Sequence, residues 1–181
     1  MSRTYGWARY PASPSGSTRE ENVNQEITIR PATLDDIEAL VRLRRLMFES
    51  MGYREQAHLD ASDSAVRAYL QDSLPTGTFR GWLAVTPAGK AVGSGGAVID
   101  RHPPGPNNPT GQVGYIMNIV TAPAYRRQGI ARRMMEAILS WMAENGVRHV
   151  SLHATEMGRP MYRSLGFVDS NEMRTTIGAP E

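Results

Sequence analysis

The sequence predicts an α/β (α+β) fold, a mixed and mostly antiparallel central sheet of six to seven strands with helices on both faces. Three observations predict it. Apolar residues alternate in "ITIRPAT", change to helical spacing in "LDDIEALVRLRRLMFESMG", and alternate again further on. Three strand-like runs, "FRGWLAVT", "AVGSGGAVID" and "VGYIMNIVT", then follow one another with only turns or a loop between them. Finally, a strand–helix–strand unit from "VGYIMNIVT" to "RHVSLHA" adds a parallel neighbour to that antiparallel run.

Each element has its own local signals. The first strand ends at Pro31, and Thr33, Asp35 and Asp36 start a helix whose apolar set is Ile37, Leu40, Val41, Leu43, Met47 and Phe48, with Gly52 as its stop. "DASDSAVRAYLQDSL" predicts a second helix, capped near Ser62 and ended before Pro75 and Gly77. The turn "PAGK" joins the next two strands, and the Pro/Gly/Asn loop "RHPPGPNNPTGQ" leads into "VGYIMNIVT". The continuous apolar character of that run suits a central strand covered on both faces. A helix from about Gly129 to Asn145 turns Ile130, Met134, Ile138, Trp141 and Met142 to the core and Arg132, Glu136 and Ser140 outward, and Gly146 ends it. "RHVSLHA" is a strand and "GRPMYRSLG" a short helix closed by Gly166, while "FVDSNEMRTTI" supplies one or two final strands.

At 181 residues, with 40% hydrophobic and 21% charged residues, the chain has the composition of one ordinary globular domain. We place that domain at 26–178. Residues 1–25, rich in Ser, Pro, Gly and Arg without apolar periodicity, are expected to form a flexible arm. Its Tyr5, Trp7 and Tyr10 are candidates for docking on a second subunit, which leaves a homodimer open. The net charge of +2 argues against a polycationic nucleic-acid or membrane-surface binder. No apolar run reaches the roughly 18 residues of a membrane span, and the first residues lack the apolar centre of a secretory signal, so a cytoplasmic protein is expected. The absence of cysteine removes disulfides, thiolate zinc sites and a cysteine nucleophile.

The stretch "YRRQGIARRMM" places Arg126, Arg127 and Gln128 where a helix begins. A helix N-terminus carries partial positive charge and favours acids, so cations there point to an external anion such as phosphate. His149 and His153 suggest a four-residue metal pair, but on a strand they stand about 13 Å apart, too far to share an ion. No metal is expected. "GSGGA" lacks the lysine and helix of a nucleotide loop, and its glycines are expected to let backbone and acceptor approach closely.

"NIVTAPAYRRQGIARRMM" and "LHATEMGRPMYRSLGFV" together resemble the GCN5-related N-acetyltransferase (GNAT) superfamily. The first resembles its acetyl-CoA signature, Arg/Gln-x-x-Gly-x-Gly/Ala, at Arg126-Arg127-Gln128-Gly129-Ile130-Ala131. The second resembles its terminal Tyr-x-x-x-Gly-Phe pattern from Tyr162 to Phe167. The likeness extends over about residues 27–177 and implies the GNAT-like acyl-CoA acyltransferase fold. It also implies that the anion is the pyrophosphate of coenzyme A, cradled by N–H groups from Arg127 to Ala131, with Arg127 and Arg132 adding charge-assisted contacts. Arg133 has a weaker case. Ala131 stands where many members have glycine, a departure of one methyl group.

By the same resemblance, a bulge in "NIVTAP" splays this strand from the next, and pantetheine pairs with Ile119 and Val120 in the gap. Tyr162 is then the general acid toward the coenzyme sulfur, and the Val120 backbone N–H faces the acetyl carbonyl. Thr155 is either a coenzyme contact or a local helix cap. The base is unassigned among Asn118, Glu49, His102, His153 and Glu156. The expected function is an acetyl-CoA-dependent N-acetyltransferase moving acetyl to a primary amine of a small molecule or peptide by direct attack. The alternative is a non-catalytic acyl-CoA sensor or regulatory module.

Overall fold

A computed structural model describes residues 27–178, and the arm expected over residues 1–25 lies outside the described residues. The strands are β1 (Thr28–Pro31), β2 (Arg80–Val85), β3 (Ala91–Arg101), β4 (Gln112–Thr121) and β5 (His149–Leu152). They form one sheet in chain order, β1-β2-β3-β4-β5. The first three pairings are antiparallel and β4–β5 is parallel. The helices are α1 (Ile37–Ser50), α2 (Gln56–Thr76), α3 (Ile130–Glu144) and α4 (Arg159–Ser164).

The sheet thus has five strands among the described residues, not six to seven. "FVDSNEMRTTI" forms no strand there, and Val168, Met173 and Ile177 are 87%, 94% and 96% exposed. Alternation makes a strand only where another layer buries one face, and this segment has none over it. The second helix also begins earlier than expected and takes in Pro75. A proline in the last turn deprives only Gln71 of its backbone donor, and Gly77, at φ 71°, then closes the helix.

Two cores flank the sheet. On one face α3 sets Ile130, Met134, Met135, Ile138 and Met142 against Trp82, Ala84, Val92, Ala97 and Ile116. On the other, α1 and α2 bury Ile37, Leu40, Val41, Leu43 and Leu70 against Phe79, Leu83, Ala91 and Val120. Met135, outside the expected stripe, is fully buried. Trp141 is half-buried, edge-on to Trp82 at 5.4 Å.

The glycines of β3 serve these cores rather than an acceptor. A Cβ on Gly95 would meet Ile119 Cδ1 at 2.7 Å, and one on Gly96 would overlap the Phe79 ring, with Cε2 at 2.5 Å. Gly96→Ala is therefore expected to destabilise the fold by about 1–3 kcal/mol through overpacking, read as a lower urea midpoint.

The entry to α1 is held by a bidentate ion pair. Arg30 donates to both oxygens of Asp36 at 2.7 and 2.8 Å, and the Thr33 N–H and hydroxyl donate to the same carboxylate. The Arg30 bonds hold the Asp36 carboxyl down at about 2, against an ordinary 3.8. A depressed folded-state value means that the stabilisation is fully present above about pH 4 and fades as pH falls toward 2. Arg30 is 41% exposed, which limits the worth of the pair. Asp36→Ala should cost about 1–2 kcal/mol at pH 7, and the gap from wild type should shrink in urea titrations at acid pH.

Candidate active site

The site is built around an interruption in β4. Val120 pairs with Ser94 and Met117 with Gly96, so Asn118 and Ile119 together oppose the single residue Gly95. This is a β-bulge, and Asn118 takes the left-handed conformation at φ 57°, which asparagine tolerates better than bulkier residues. β5 follows β4 only from the Val113–His149 pair to Ile116–Leu152. Beyond that pair β4 runs on from Met117 to Thr121, leaving an opening on its β5 side.

Backbone direction in this stretch corrects one expectation. The Ala122 N–H donates to Val92 O at 2.8 Å. Donors toward one neighbour recur at every second residue of an antiparallel ladder, so the Val120 N–H also turns to β3 rather than to the opening. Its side chain lies in the α1 core. Ile119 and Thr121 turn their N–H groups toward the opening instead. An inserted residue shifts this parity, and sequence spacing does not reveal the shift.

Below the opening, the chain turns sharply into α3. Arg126 is extended, and Arg127 and Gly129 both have positive φ, 65° and 73°. The Arg133 N–H reaches Gly129 O at 3.0 Å as the first bond of the helical ladder. The N–H groups ahead of it, at Ile130, Ala131 and Arg132, have no helical acceptor. The first turn of α3 carries no acidic side chain. Such a helix start suits an anion.

The arginines divide by role. Arg126 Nε donates to Thr121 O at 3.1 Å and its NH2 group to Ser50 Oγ at 3.2 Å, which places the guanidinium at the mouth of the opening. Arg127 is exposed. Arg132 donates to Ser164 and so links the start of α3 to α4. Arg133 ties the helix to Ile27 O at 2.7 Å, a structural duty. Gln128 Oε1 and Thr121 Oγ1 are buried with no hydrogen-bond partner among the described residues.

Tyr162, on α4, is 8% exposed and packs edge-on against Phe167 at 6.1 Å. Burial raises its phenol above the ordinary 10, so it keeps its proton at neutral pH. Thr155 acts as the local cap: its hydroxyl accepts the Gly158 N–H at 3.2 Å and its carbonyl accepts the Arg159 N–H at 3.0 Å. Of the base candidates, Glu49 and Glu156 are paired with Arg45 and Arg159. His153 accepts a 2.6 Å bond at Nδ1 from Tyr115, a residue that the sequence reading passed over. Tyr115 reads as one more strand residue until folding brings His153 to it, 38 residues later. The His149 ring bonds Asn107 O at 2.9 Å, and among the described residues no three His, Cys, Asp or Glu side chains are grouped to hold a metal.

The model of the acetyltransferase (GNAT) family matches residues 39–167. The chain belongs to this family. A solved GCN5-related N-acetyltransferase from Ralstonia eutropha JMP134 is 32% identical, with 84% of this chain and 99% of that one covered, at a TM-score of 0.77. A predicted acetyltransferase with acetyl-CoA from Clostridium acetobutylicum is 27% identical over 83% of this chain and 95% of its own, at a TM-score of 0.75. An aminoglycoside 6′-N-acetyltransferase from Acinetobacter baumannii, 19% identical with 86% of this chain and 99% of that one covered, shares the fold at a TM-score of 0.63. No curated protein matches the sequence. The Arg132–Ser164 bond joins the start of α3 to α4, the helix that carries Tyr162.

Proposed function

We propose that this protein is an acetyl-CoA-dependent N-acetyltransferase that moves the acetyl group to a primary amine of a small molecule or peptide by direct attack. The observation that supports it is the β4 opening, followed in the chain by an acid-free helix start whose Arg132 bonds to α4, the helix that carries the buried Tyr162. Acetyl-CoA, when bound, supplies the activated thioester carbonyl and the pyrophosphate. The Ile130, Ala131 and Arg132 N–H groups hold the pyrophosphate, with the Arg127 and Gln128 turn beneath it. Gly129 and Ala131, having little or no side chain, let the phosphates approach the backbone. Arg127 and Arg132 add charge-assisted contacts, while Arg126 borders the pantetheine channel.

Ile119 and Thr121 offer pantetheine the backbone partners of an added strand, and a donor to the thioester oxygen. Val120 supports this edge from the core, and the Thr155 hydroxyl keeps its own proton to donate. Tyr162 gives its proton to the departing sulfur. Arg126, Arg132 and Arg133 each bond to protein groups instead of forming a row for a polyanion, which supports an amine acceptor over nucleic acid.

A thiol-release screen with acetyl-CoA over polyamines, aminoglycosides, amino acids and peptide N-termini tests the reading. Turnover of at least one amine is the expected result. Coenzyme binding without thiol release across the whole panel would favour the sensor reading instead.

A further inference from the structure

A base for this reaction has to reach the acceptor amine beside the opening. Side chains on β4 alternate: Gly114 and Ile116 turn to α3, and Met117 turns to the α1 core. Tyr115 shares the face of Met117. His153 is the first residue past the last β4–β5 pair, so the two meet where the strands part. Tyr115 borders an open cleft of about 570 Å³, lined also by Asp100, His102, Arg148, His149 and Glu172.

The hydrogen bonds fix which atom donates. Arg174 NH2 lies 2.6 Å from His153 Nδ1, and a guanidinium only donates, so Nδ1 carries the lone pair. The Tyr115 hydroxyl, also 2.6 Å from Nδ1, is therefore the donor in its bond. Its oxygen lone pairs are left for the cleft. A phenol whose proton is already directed to an imidazole can accept one proton while passing on another.

On the strength of the acetyltransferase reading above, we propose that Tyr115 is the catalytic base for the acceptor amine and that His153 is the relay behind it. The ammonium gives a proton to Tyr115 Oη as the Tyr115 proton passes to His153 Nδ1, whose lone pair Arg174 gives up as its guanidinium turns to Glu172. The freed amine attacks the thioester carbon, the C–N bond forms and the C–S bond breaks, and sulfur takes the Tyr162 proton. The second amine proton leaves to solvent, from which Tyr162 is reprotonated, and His153 returns its proton there. The charged and titratable groups facing His153 are Tyr115 from β4 and Arg174 from the C-terminal segment, itself 3.8 Å from Glu172. Asp100, His102, Arg148, His149 and Glu172 line the cleft beyond.

The test compares two acceptors: an alkylamine, protonated at neutral pH, and a hydrazine or aromatic amine, which is not. Tyr115→Phe should lower kcat/KM about a hundredfold for the alkylamine and much less for the unprotonated amine, with acetyl-CoA affinity unchanged. His153→Gln keeps an acceptor but cannot take the proton. It should show a similar loss and should remove the low-pH limb of kcat/KM. Wild-type rates in Tyr115→Phe, or equal losses with both amines, overturn the pair while wild-type turnover keeps the acetyltransferase reading. No wild-type turnover of any amine overturns both.

Discussion

Gly129→Glu is expected to abolish coenzyme A binding in a protein that still folds. Gly129 precedes α3 at φ 73°, so a side chain there costs about 1–2 kcal/mol of conformational strain, which a domain of this size tolerates. Arg127, at φ 65° two residues earlier, shows that this turn accepts a non-glycine residue. The new carboxylate would compete for the helix N–H groups and repel the pyrophosphate. Two unit charges 4 Å apart near a protein surface interact by about 4 kcal/mol, roughly a thousandfold in affinity. Gly129→Asn is the control, because asparagine accepts positive φ and brings no charge. It should bind nearly as wild type in calorimetry. Equal losses in the two variants would assign the effect to the backbone, and wild-type affinity in Gly129→Glu would remove the pyrophosphate from this turn.

Tyr162→Phe carries the second large effect. The ring packs against Phe167 and Gly158, contacts that phenylalanine retains, so stability should change little. The hydroxyl is the lost group. With its phenol raised by burial, Tyr162 stays protonated through neutral and mildly alkaline pH. Its removal should lower kcat about a hundredfold, the scale of one positioned proton donor, with little effect on coenzyme affinity. Single-turnover rates, which separate chemistry from product release, are the measurement to make. An unchanged rate there would leave Tyr162 as a packing residue, and loss of coenzyme affinity would assign it to binding.

Sequence alone determined much of this protein. Helical spacing placed α1 and α3 nearly to the residue, because one apolar stripe and a closing glycine are local properties. Two motifs on predicted elements identified the family, and Arg126 to Ala131 fell at the start of α3 because a turn into a helix is written in consecutive residues. Tertiary structure decided what depends on partners distant in sequence. The final strands were absent because no layer covers residues 168–178, and α2 ran past its expected ends because packing on α1 and Gly77 set them. The β3 glycines proved to be seats for Phe79 and Ile119. The bulge at Asn118 turned the Val120 amide into the ladder, a parity fixed by pairing with β3. Tyr115 and His153 became a pair only because β4 and β5 run side by side and then part. A hydrogen bond between residues so far apart in the chain has no periodicity to announce it.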